Sequence, residues 1–218
     1  MNRPATIAFA VTTALGCMAL VYFQRMGWMQ MAAAAKLVAS LGFLATAISA
    51  GALGHRFGQI IFVGLVLSMC GDLFLIGQSQ QHFLLGLSAF LLAHIAYITA
   101  FVINGQKRRW VFTAAVPVMA IAVLVLYWLM PYVAPYLAIP VRVYIAVISL
   151  MVITAFGSKG AGASTLIVIG ALMFFVSDLS VAMQRIVETE FPTIIWGLPL
   201  YYGGQLCLAV GASHSSSQ

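Results

Sequence analysis

Two acids and two bases stand where an apolar chain has least room for them. Lys36, Asp72, Arg142 and Asp178 each lie inside a long uncharged run, and each acid follows its base by 36 residues. A charged side chain at the centre of a membrane helix costs about 2.5–3.5 kcal/mol on insertion scales, so such groups persist only when paired or facing a wet cavity. Two carboxyls in one low-dielectric chamber suit proton chemistry, one as a neutral acid and the other as an anion. The bases would then hold either the acids or an anionic ligand. The purely structural alternative is a pair of ion pairs that tie helices together.

Other polar side chains fall near the same level. His94 and Tyr97 are three residues apart on one helix face, and Tyr201 and Gln205 are four apart on another, with Trp196 nearby. Tyr144, two residues after Arg142, and Ser68, four before Asp72, are placed to complete the hydrogen bonding, and Ser177 precedes Asp178 directly. His94 is either a histidine bonded to a neighbouring helix or a catalytic or binding group. Trp196 and Tyr201 are either chamber residues or interfacial belt aromatics. No metal or other cofactor is expected: His94 is the one histidine within an apolar segment, and neither HxxxH nor HExxH occurs. There is no GxSxG. Cys70-Gly71-Asp72 lacks the first glycine of a GxGD protease motif, where Met69 stands, and Ser177 rather than tyrosine precedes the second acid.

The elements that must position these residues are membrane helices. The chain has 218 residues, of which 63% are hydrophobic and 6% charged, and a mean hydropathy of +1.07. A water-facing surface takes about 25% charged residues, so most of this surface faces lipid. The net charge of +6 would suggest nucleic acid in a soluble protein. Here the bases fall mostly between apolar runs, and no nucleic-acid partner is expected. Cys17, Cys70 and Cys207 lie singly in apolar runs and read as small buried hydrophobes.

Hydropathy predicts eight spans at about 5–23, 31–52, 59–77, 83–104, 111–130, 139–157, 163–184 and 193–211. The first is read as an uncleaved helix, since its apolar run continues to Phe23. If the N-terminus is inside, the inner loops hold Arg3, Arg56, Lys107, Arg108, Arg109 and Lys159. The outer ones hold only the bases Arg25 and Arg185. Both termini are therefore expected on the cytoplasmic side, in a bacterial inner membrane.

An ungapped echo at an offset of 106 aligns Lys36 with Arg142, Gly64 with Gly170 and Asp72 with Asp178. The expected fold is all-α, a polytopic bundle of eight transmembrane helices built as a parallel four-plus-four repeat. It forms one integral membrane domain over 1–218, with halves at about 1–106 and 107–212 and a polar cytoplasmic tail at 213–218.

These residues resemble the YhhN-like lysoplasmalogenase family. The resemblance rests on the lysine early in helix 2, Ser68-x3-Asp72 with Gly71, and Phe90-x3-His94-x2-Tyr97. It continues through Gly170-Ala171-x2-Phe174-x2-Ser177-Asp178 to Tyr201-x3-Gln205. One departure is Leu37-Val38, where the family often has a proline after the lysine. The resemblance implies hydrolysis of the vinyl ether of lysoplasmalogens, and two carboxyls, those of Asp72 and Asp178, suit that chemistry without a cofactor. The partners would be a lysophospholipid, water and membrane lipids, with the substrate phosphate held by Arg142 or Lys36. The competing classes are a proton-coupled secondary transporter or channel using the same Asp pair, and a structural membrane protein.

Overall fold

The computed structural model describes residues 2–213. Eight helices carry them: α1 (Arg3–Arg25), α2 (Met29–Ala50), α3 (Arg56–Phe74), α4 (Gln80–Ile103), α5 (Arg108–Leu129), α6 (Ala138–Gly160), α7 (Thr165–Arg185) and α8 (Ile194–Gly211). All eight are long and apolar enough to cross a bilayer, and no strand occurs among the described residues. The chain is an integral membrane protein of the all-α class. Of the tail expected at 213–218, residues 214–218 lie outside the described residues.

Local chemistry moves some ends away from the hydropathy windows. Gly51 takes a left-handed φ of 95° and stops α2 at Ala50, a conformation that costs glycine little and other residues more. His55 then accepts the Gly58 amide at 3.2 Å, and Ser79 accepts the His82 amide at 3.3 Å. These two caps start α3 and α4 about three residues before the apolar windows do. A hydropathy average discards such polar first turns, although they are helical. Between α5 and α6 the chain makes two short 3₁₀ turns, Met130–Tyr132 and Pro135–Leu137.

Six helices form a closed ring by packing in the order α2, α3, α4, α6, α7, α8 and back to α2. The other two lie outside it, α1 against α2 and α8, and α5 against α6. Lipid offers no hydrophobic drive for helix association, so close approach through small residues must supply much of the packing. Gly170 of α7 and Gly204 of α8 are the clearest case. A Cβ built on Gly170 would sit 2.8 Å from the Gly204 carbonyl oxygen, and one built on Gly204 would sit 3.0 Å from the Gly170 carbonyl oxygen.

A valine at Gly204 must therefore push α7 and α8 apart. The expected cost is about 1–3 kcal/mol, read as a lowered Tm of the detergent-purified protein. An unchanged Tm would show that the two helices tolerate a wider separation.

Candidate active site

Asp72, on the last turn of α3, is 3% exposed. Two helices, α2 and α8, supply its partners. From α2, Lys36 places its Nζ 3.8 Å from Asp72 Oδ1, and Ser40, one turn further on, donates its hydroxyl to Oδ2 at 2.7 Å. From α8, Tyr201 donates to the same oxygen at 2.8 Å. Lys36 is itself only 7% exposed, and its pairing with Asp72 is the one ion pair among the described residues. Two hydroxyl donors and an ammonium are what a carboxylate in a low-dielectric site requires.

A second layer holds these partners in place. Tyr202 lies with its hydroxyl 3.4 Å from Ser40 Oγ and donates to the Lys36 carbonyl at 3.5 Å. Tyr201 also reaches the Ser68 carbonyl at 3.4 Å. The Ser68 hydroxyl lies 3.3 Å from that of Tyr97, and Tyr97 donates to Gln205 Oε1 at 2.9 Å. Ser68, Tyr97, Tyr201 and Gln205 thus form one buried network that reaches Asp72 through Tyr201.

Asp178 has a sparser environment. Tyr144 of α6 donates to its Oδ2 at 2.7 Å, and no cation pairs with it among the described residues. His94 is fully buried, with its ring 5.2 Å from that of Tyr144 and 4.6 Å from that of Phe174. Neither ring nitrogen has a hydrogen-bond partner among the described residues. The histidine packs against the tyrosine that serves Asp178 and is not bonded to a neighbouring helix. The Ser177 hydroxyl turns back to the Phe174 carbonyl at 2.7 Å and does not serve the acid.

Both acids line one polar cavity of about 400 Å³, together with Lys36, Ser177, Tyr201, Gln24, Gln78 and Arg185. Its mouth lies at the end of the bundle where α1 meets α2, α3 meets α4 and α7 meets α8, because Gln24 and Arg185 stand at the ends of α1 and α7 and Gln78 lies between α3 and α4. A narrower cleft of about 80 Å³ runs beside it, walled by Phe83, Leu87, Val125, Ile145, Ile148 and other apolar side chains of α4 to α7. Leu75, Phe90, Asp178 and Val181 border both spaces. Asp178 therefore stands where a polar chamber meets an apolar cleft, and Asp72 stands inside the polar chamber alone.

Two expected site residues are not brought here. Arg142 is exposed on α6 and lines neither space. The reason is rotational: two helical residues are about 200° apart, so with Tyr144 turned inward to Asp178, Arg142 is turned outward. The symmetrical set of two bases and two acids is corrected to one ion pair and one hydroxyl-bonded acid. Trp196 is half-buried near the start of α8 and is not among the residues lining the chamber. Ser40 was not singled out from the sequence, although its place four residues after Lys36 was the available signal. Tyr202 and Arg185 were also missed, the first because it sits beside Tyr201 and the second because it counted as a loop charge.

The chain matches the YhhN family over residues 29–212, a span that contains every residue of the site except Gln24. It is 34% identical over 185 residues to the lysoplasmalogenase TMEM86A of Homo sapiens and 32% identical to that of Bos taurus, with 82% of this chain and 72% of each relative covered. A lysoplasmalogenase of Mycobacterium tuberculosis is 32% identical over 152 residues, covering 66% of this chain and 58% of that protein. No solved structure matches the chain.

The Lys36–Asp72 pair predicts a non-additive cycle. Lys36→Met strands a buried carboxylate and is expected to cost about 3–5 kcal/mol of stability. The double variant Lys36→Met/Asp72→Asn should recover most of that loss in Tm, because neither charge remains. Simple addition of the two single losses would show that the charges do not compensate each other.

Proposed function

The chain belongs to the YhhN family, and from that premise we infer that it is a lysoplasmalogenase, a membrane enzyme that hydrolyses the vinyl ether bond of lysoplasmalogens. The observation that carries the reading is the position of Asp178 at the border of the polar chamber and the apolar cleft. A lysoplasmalogen has the same two parts, a charged glycerophosphate head and an alkenyl chain, with the vinyl ether at their junction. With the head in the chamber and the chain in the cleft, the reacting bond comes to Asp178. The transport alternative receives no support from the comparisons, whose named relatives are hydrolases.

The environments of the two acids divide the work. Asp178, with one hydroxyl donor and no cation, is the proton donor; Asp72, with Lys36, Ser40 and Tyr201 around it, is the anion. Asp178 protonates the β-carbon of the vinyl ether, and the positive charge moves to an oxocarbenium that the Asp72 carboxylate stabilises. Asp72 then takes a proton from the attacking water, and a hemiacetal forms. As the hemiacetal collapses, Asp178 recovers the proton of its hydroxyl and Asp72 returns its own to the departing glycerol oxygen. The products are a fatty aldehyde and glycerophosphoethanolamine or glycerophosphocholine, and both carboxyls end in their starting states. Glycosidases divide two carboxyls in a similar way. Tyr144 orients Asp178, and the packing of His94 on Tyr144 holds that orientation.

The proposed setting is a bacterial cytoplasmic membrane with both termini on the cytoplasmic side, in keeping with the excess of Lys and Arg in the loops on that side. The chamber would then open toward the outer leaflet. The four-plus-four relation belongs to the same proposal. Exchanging α1–α4 with α5–α8 maps the ring of six helices onto itself and the two flanking helices onto each other, which supports it.

Asp72→Asn and Asp178→Asn are each expected to lower aldehyde release from a lysoplasmalogen by about 100-fold or more, while the protein still inserts and purifies. Detergent-solubilised protein suffices for this measurement, because hydrolysis needs no sealed compartment. Full activity in either variant sinks the acid–base assignment.

A further inference from the structure

Arg185 is a cation at the mouth of the chamber that no acid neutralises among the described residues. It ends α7, is half-buried, and lines the same cavity as both acids. Its two terminal nitrogens donate to Gln78 Oε1 and to the Leu75 carbonyl, each at a long 3.4 Å. No carboxylate pairs with it among the described residues. The side chains around it, Gln24, Gln78 and Gln184, are neutral amides, and their N–H groups are donors that an anion can use. The other two bases once expected to hold an anion are unavailable, since Lys36 is committed to Asp72 and Arg142 faces away.

We propose that Arg185 binds the phosphate of a lysophospholipid and thereby sets the depth at which its vinyl ether meets Asp178. The proposal rests on the lysoplasmalogenase reading for the identity of the ligand, and on spacing for the fit. Arg185 follows Asp178 by seven residues on α7, two helical turns, so the two side chains leave one face about 10.5 Å apart. In the substrate, seven bonds separate the phosphorus from the β-carbon of the vinyl ether. Three extended bonds span about 3.8 Å, so seven reach about 9 Å. A guanidinium contact to the phosphate oxygens accounts for the remainder. A phosphate held at Arg185 therefore brings the β-carbon to the carboxyl that protonates it. Guanidinium suits this task because its planar fork donates two parallel hydrogen bonds to a phosphate. The headgroup amine then lies beyond Arg185, outside the chamber.

The test uses two non-cleavable probes on the detergent-purified full chain, a saturated 1-O-alkyl lysophosphatidylethanolamine and the matching 1-O-alkylglycerol, which lacks the phosphate. Arg185→Gln is expected to weaken binding of the phosphate-bearing probe about 10- to 100-fold and to leave the affinity for the alkylglycerol within about twofold. Arg185→Lys should retain part of the affinity, since a point charge replaces the fork. Equal weakening of both probes, or no weakening of the first, overturns the assignment. Because these probes are not hydrolysed, a wild type that binds them with this pattern but releases no aldehyde would count against the hydrolase reading and not against the phosphate site.

Discussion

Lys36 and Asp72 place an ion pair, 3.8 Å from Nζ to Oδ1, inside a bundle whose outer surface meets lipid. A buried carboxylate without compensation is too costly to keep, so its partners must be supplied from wherever the chain can bring them. Here they come from α2 and α8, with Ser40 and Tyr201 on one oxygen and Lys36 near the other. Those two helices are the neighbours of α3 across the ring and beside it. Satisfying the charge on Asp72 therefore fixes the rotation of three helices at once, and the network through Tyr97 and Gln205 extends that constraint to α4.

Asp178 has no such set of partners, and the difference is what makes the site chemically asymmetric. One hydroxyl from Tyr144 holds it at the wall between a polar and an apolar space. An amphiphile divided in the same way has one natural place for its junction. The proposed division of roles, one acid giving a proton and the other stabilising the resulting cation, rests on that difference in surroundings. The glycine contacts between α7 and α8 matter to this arrangement because they bring Tyr201 and Asp178 to the same cavity from adjacent helices.

Much of this was legible in one dimension. The eight spans follow from hydropathy, and the isolated acids follow from the cost of charge in hydrocarbon. Tyr97, Tyr201 and Gln205 were recognisable because polar groups three or four residues apart share a helix face. Arg142 was misplaced because its alignment with Lys36 speaks to sequence position and not to helix rotation. Ser40 is not legible in the sequence, because a lone serine in a membrane helix is common and nothing marks it until its carboxylate partner is known. The sequence marks Arg185 only as a loop charge, because its position at a helix end is the same whether it faces lipid headgroups or a cavity.

The sequence by itself determined how many helices there are, roughly where they begin and end, and which residues are too polar to face lipid. These are properties of single segments, and the bilayer imposes them segment by segment. Only the tertiary structure decided which way each helix turns. A helix that is apolar all round shows no pattern distinguishing its inner face from its lipid face, and each residue of error in register rotates a side chain by about 100°. That is why Tyr144 and not Arg142 reaches Asp178, and why one of two matched acids is paired with a base while the other stands at the edge of an apolar cleft.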